Sequence, residues 1–168
     1  MDRARRTDLY FADYARGEAH PDEVTHGAGP VDRLGQLEAR VIRDMRQWSE
    51  GVPGQIPVWE SYRAAIGDTA AAETVATLDA LIEIVGEAAC RPLKRYRVGC
   101  ACAGVDEANF AHTVALASDG HRREAVMIAA LIVTASRAHQ IALLAGSYGH
   151  ALRRILAAEG AQRRRKLH

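Results

Sequence analysis

Between Asp32 and Gly160, apolar side chains return every three or four residues. That period, broken at length only across Cys90–Glu107, commits the chain to packed helices. The first stripe is Leu34, Leu37, Val41, Met45 and Trp48, closed by Gly51. Gly51–Gly54 reads as a turn, and Pro57 suits the first position of a short second helix carrying Val58, Trp59, Tyr62 and Ile66. Gly67 ends that helix and Asp68 caps the next, whose face is Val75, Leu78, Ile82, Val85 and Ala89. Arg91-Pro92 stops it, because proline lacks an amide and disfavours helical geometry in the residue before it.

Helix resumes near Asp106 with Phe110, Val114 and Ala117 inward, and Ser118-Asp119-Gly120 makes a corner. A fifth helix is expected from His121 to Thr134, apolar on every side and so the hub of the packing. The sixth begins at a Ser136 cap, faces inward through Ile141, Leu144, Tyr148, Leu152 and Ile155, and closes at Gly160. No stretch of useful length shows the two-residue alternation of a half-buried strand. The expected fold is therefore all-α: a single-domain bundle of five to six helices over residues 31–160, with a central loop at 91–105. A flexible arm at 1–30 precedes it and a basic tail at 161–168 follows.

The arm is polar and punctuated by Gly17, Pro21, Gly27, Gly29 and Pro30. Its one apolar cluster, Leu9, Tyr10, Phe11 and Tyr14, forms a hook suited to docking on the chain's own body or on a second copy, so a homodimer is expected. With 168 residues the chain is long enough to bury one core without disulfides or metal. A net charge of +1 gives no general pull toward nucleic acid or anionic membrane. The longest apolar run, Ala125–Val133, falls short of the roughly 20 residues that span a bilayer. The first residues lack the apolar centre of a secretory signal, and three cysteines, an odd number, suit a reducing cytoplasm. The 20 Arg against 2 Lys, with 32 Ala, point to a high-GC bacterial genome rather than to a need for guanidinium groups.

Chemistry concentrates in the interruption. Cys90, Cys100 and Cys102 with His112 would make a tetrahedral zinc set, zinc being the metal such ligands take, although His112 lies about 9 Å into the fourth helix and reaches only if the loop folds back. Thiol redox chemistry at Cys100 and Cys102 is the sister reading, favoured by the neighbouring Arg95 and Arg97 and opposed by the strain of bridging residues two apart. Arg91, Lys94, Arg95 and Arg97, interleaved by Tyr96, could hold a partner or a single nucleic-acid strand by charge and stacking, as could Arg163–Lys166 by charge alone. Asp106 and Glu107 read as the cap of the fourth helix, since carboxylates in a first turn complement its unpaired amides.

Catalytic motifs are missing from the sequence: it holds no phosphate loop, no Gly-x-Ser-x-Gly elbow, no His-Glu-x-x-His and no paired Glu-x-x-His. No catalytic residue is assigned. The function expected is that of a binding, adaptor or regulatory module that presents the 91–107 loop to a protein partner. The alternatives are a zinc or thiol protein centred on the three cysteines, and a weak nucleic-acid binder.

Overall fold

The computed structural model describes residues 11–13 and 27–166, and over them the chain is an all-α bundle. Six α-helices are present among the described residues: α1 Gln36–Trp48, α2 Val52–Ile66, α3 Asp68–Ala88, α4 Val105–Ser118, α5 Arg122–Ala129 and α6 Ala135–Lys166. Four short strands accompany them: β1 Phe11–Asp13, β2 Gly27–Pro30, β3 Leu93–Arg95 and β4 Cys102–Gly104. Most of the arm, including Leu9, Tyr10 and Tyr14 of its hook, lies outside the described residues, and so do Leu167 and His168.

The apolar stripes become the core. Val41, Ile42 and Met45 of α1 meet Val58 and Tyr62 of α2, Leu78, Leu81, Ile82 and Val85 of α3, Phe110 and Val114 of α4, and Ile141, Tyr148, Leu152 and Ile155 of α6 in one buried cluster. The hub is α6 rather than the fifth helix, for α6 packs against all five others. Helix α5 stops at Ala129, eight residues long, and leaves Met127 and Leu131 exposed. It stops because the backbone beyond it has another partner. Cys90 N–H donates to the Ile132 carbonyl at 3.2 Å and Thr134 N–H to the Ala88 carbonyl at 2.9 Å, so the chain stitches itself to the end of α3.

Two helix ends also differ from expectation. Helix α2 begins at Val52, with Pro53 in its first turn and Pro57 inside at the cost of one helical hydrogen bond. A Cβ on Gly54 would sit 1.9 Å from the Gln47 carbonyl oxygen, so glycine lets this first turn press on the last turn of α1. Helix α6 starts at Ala135 and runs through Gly160 to Lys166, making Arg163–Lys166 the final helical turn, where cations suit the negative end of the helix dipole.

The 91–105 segment is not a bare loop. Strand β3 pairs in parallel with β1, Phe11 opposite Leu93, and β4 pairs antiparallel with β2, Pro30 opposite Cys102. Strands of three or four residues carry too little alternation to be read from sequence.

Candidate functional site

The central segment is held by two carboxylates at the start of α4. Glu107, third residue of the helix, reaches back to accept from the Gly104 amide at 2.8 Å and takes the Tyr96 amide at 3.0 Å. The same carboxylate receives Nε and Nη2 of Arg46, each at 2.7 Å, and both side chains are almost fully buried. Two further donors of Arg46 go to the carbonyls of Cys100 at 2.8 Å and Cys102 at 2.7 Å. Asp106 receives a two-pronged contact from Arg91 at 2.8 and 2.6 Å, and the Lys94 amide at 2.8 Å. Burial raises the Asp106 pKa, but the Arg91 hydrogen bonds and the Lys94 amide outweigh it and hold the carboxyl below its usual range. Residues expected as helix caps thus also pin the loop before the helix.

Arg97 to Cys100 closes as a tight turn, the Cys100 amide donating to the Arg97 carbonyl at 3.1 Å, and Gly99 supplies the positive φ of 87° this turn requires. Val98, Gly99, Cys100 and Ala101 then form one wall of a cleft of about 860 Å³, within the size range of small-molecule sites. Pro30, Val31 and Asp32 line it beside them, and α1 and α2 close it through Ala39, Arg43, Gln47, Pro57 and Val58. Its floor is ionic, formed by Arg40, Asp44, Arg46 and Ser61.

Arg40 joins three helices. Its Nε lies 2.8 Å from both Asp44 oxygens, Nη1 is 2.7 Å from Glu159 of α6, and Nη2 is 2.7 Å from the Ser61 hydroxyl, which donates to Glu159 at 3.0 Å. Asp44 also accepts from the Tyr62 hydroxyl at 2.6 Å, and Tyr62 in turn lies 2.8 Å from the Tyr148 hydroxyl. With the Tyr62 proton committed to Asp44, Tyr148 must donate to Tyr62. Burial pushes Asp44 up against the pull of Arg40 and Tyr62, and pushes both tyrosines well above the ordinary phenol range. Burial also opposes the Arg40 charge, yet Asp44 and Glu159 more than offset it, so this guanidinium stays protonated. Asp44 accepts from the Arg40 Nε–H through both oxygens and from the Tyr62 hydroxyl, the contacts of an ionised carboxylate. Glu159 lies below its usual range because Arg40 and Ser61 outweigh its burial, so it is a weak base toward Ser61.

The residues named from sequence are only partly brought together. Cys90, Cys100 and Cys102 are free thiols. They do not converge with His112, and among the described residues no three His, Cys, Asp or Glu side chains are grouped to hold a metal ion. The reason is local: the Cys90 amide is tied to Ile132, Cys102 stands exposed on β4, and His112 lies 3.6 Å from Glu38 of α1. The basic cluster is likewise dispersed. Arg95 is buried, donating to Glu50 at 2.8 Å, and Arg91 is engaged by Asp106. Tyr96 is half-buried, its ring edge 3.1 Å from where a Gly104 Cβ would stand and its centroid 5.9 Å from the Arg46 guanidinium, so part of the ring is already covered. Lys94 and Arg97 are exposed.

Arg40, Asp44, Arg46 and Glu159 went unrecognised in the sequence, and Tyr62 and Tyr148 were read there only as members of apolar helix faces. The available signal was an Arg–Asp pair at i,i+4 flanking the apolar face of α1, a spacing that forms ion pairs on a helix.

Fold and site together define a helical bundle with an inlaid, strand-edged segment walling an ionic-floored cleft. Comparison of the chain with protein-family models, curated proteins and solved structures finds no match. Among the described residues no helix is long and apolar enough to cross a membrane.

Proposed function

We propose that the chain is a binding module, with the cleft between α1, α2 and the Val98–Ala101 turn as its recognition surface. The observation that carries this reading is the combination of a cleft of about 860 Å³ with walls fixed before any partner arrives. The 91–107 segment is clamped from behind by Arg46 and Arg91, and preorganised walls reduce the ordering cost of binding. Mixed apolar walls over a few placed polar groups are the usual make-up of a small-molecule or peptide site.

The floor favours binding over catalysis. Ser61, Asp44 and Glu159 are engaged with Arg40 and Tyr62, and Glu159 is too acidic to activate the Ser61 hydroxyl.

Titration with the small probes phenol, acetamide and isopropanol, followed through backbone amide resonances, tests the assignment. Shifts should gather on Arg40–Gln47, Val58–Ser61 and Val98–Ala101. Shifts gathered instead on Met127–Leu131, at and just beyond the end of α5, would move the recognition surface there and reject the cleft.

A further inference from the structure

We propose that the cleft takes a small aliphatic carboxylic acid, bound as its anion with the carboxylate on Arg43; this rests on the cleft being the recognition surface. The argument begins with the polar groups of the lining that are still free to bond. Arg40, Asp44 and Ser61 are engaged with one another, with Tyr62 and with Glu159, and Arg46 with Glu107 and two carbonyls. Arg43 differs. Its Nε–H donates to the Ala39 carbonyl at 3.1 Å, one turn back on its own helix, and the guanidinium has no other hydrogen bond and no ion pair among the described residues. Both Nη groups are therefore spare, on an exposed side chain that lines the cleft. Gln47 lines it one turn further along α1, and its side-chain amide is likewise unbonded among the described residues. Side chains four apart are neighbours on a helix surface, so Arg43 and Gln47 offer adjacent donors.

Those donors select the headgroup. A guanidinium presents paired N–H groups matched to a carboxylate, in charge-assisted bonds stronger than those to a neutral acceptor. One spare cation suits one negative charge. A phosphate monoester carries close to two at neutral pH, and Asp32, exposed on the same lining, opposes the second. A ligand ammonium would have Asp32 alone, whereas a carboxylate has Arg43 with Gln47 beside it.

The walls select the rest of the molecule. Pro30, Val31, Pro57, Val58, Val98 and Ala101 are aliphatic or prolyl, and among the described residues no aromatic side chain lines the cleft. Nucleobases are held by stacking on aromatic rings and quaternary ammonium groups by aromatic cages, so neither is served here. An alkyl chain asks only for apolar surface to share, and Val98, with 46% of its surface exposed, has such surface to cover. A cleft of about 860 Å³ has room for a chain of medium length.

Titration of the full chain at neutral pH with octanoate, octanamide and octylamine, followed through backbone amide resonances, tests the assignment. Octanoate should shift Arg43–Gln47 and Val98–Ala101 and bind about tenfold more tightly than octanamide, the margin of a charge-assisted over a neutral contact, with octylamine the weakest of the three. Arg43→Gln, a change at an exposed side chain, should erase that margin. Octanamide or octylamine binding the same amides as tightly as octanoate, or an octanoate preference that survives Arg43→Gln, overturns the proposal and leaves the cleft as the recognition surface. If none of the three moves those amides, both readings fall.

Discussion

Two guanidiniums leave helix α1 six residues apart, at Arg40 and Arg46, both are buried, and they do different work. Arg46 spends two of its contacts on backbone carbonyls of Cys100 and Cys102, and its partner Glu107 accepts two backbone amides. Arg40 touches side chains alone, from α1, α2 and α6. The first pair supplies hydrogen bonds that a wider sheet would have provided, because among the described residues β3 and β4 each have one strand neighbour. The second ties helices together beneath the cleft. A buried charge pair can therefore serve as local secondary structure or as tertiary cement, and its acceptors show which.

The comparison breaks most sharply at Arg46. Arg46→Met leaves Glu107 buried without a countercharge and two carbonyls without donors, for an expected loss of about 3–5 kcal/mol in urea unfolding. Adding Glu107→Leu should recover part of that loss, since the uncompensated charge is then gone. Exchange at the Tyr96 and Gly104 amides should nevertheless stay fast in the double variant, because their acceptor has been removed. Arg40→Met should leave exchange at those two amides unchanged. If it instead loosens them, the two guanidiniums act as one network and the distinction is wrong.

A smaller effect sharpens the Arg40 side. Tyr62→Phe removes a charge-assisted donor from Asp44 and leaves the buried Tyr148 hydroxyl without its acceptor, for an expected cost of about 2–3 kcal/mol. Tyr148→Phe removes only a donor to Tyr62 and should cost about 1 kcal/mol. The order matters more than the sizes. A Tyr148 variant that proved the weaker of the two would mean that the proton chain does not run from Tyr148 through Tyr62 to Asp44.

These residues explain what could and could not be seen in the sequence. Helices were legible because Val41, Met45, Leu78, Ile82, Val85 and Tyr148 repeat a period that burial alone enforces, and all six are buried. Helix ends were less so. Gly160 reads as a stop, but α6 passes through it, and the apolar run at Ala125–Val133 reads as one long helix although α5 ends at Ala129 to let Ile132 and Thr134 pair with the end of α3. The loop was visible and its scaffold was not. Asp106 and Glu107 looked like caps, and Glu107 does bond the Gly104 amide, but the contact with Arg46, 61 positions away, depends on tertiary approach that no local pattern records. The cysteines illustrate the converse: spacing suggested one shared site, and among the described residues no three His, Cys, Asp or Glu side chains are grouped to hold an ion.

The smallest expected effect lies at Asp106, where the loop clamp meets solvent. Its carboxyl is buried but Arg91 is half-exposed, so the pair is screened and should be worth about 1 kcal/mol or less. The sign with pH follows from the depressed pKa. A carboxylate held below its ordinary value of 3.8 adds stability that is present above that pH and is lost as the pH falls through its folded value. Asp106→Asn should therefore lower stability at neutral pH, and the difference from the wild type should shrink to nothing well below pH 3.8. Urea midpoints measured from pH 7 downward give both the size and the sign. A gap that persists undiminished in acid would assign the loss to the altered hydrogen bonds at Lys94 rather than to charge, making this clamp, like that of Arg46 on the carbonyls, a matter of backbone satisfaction.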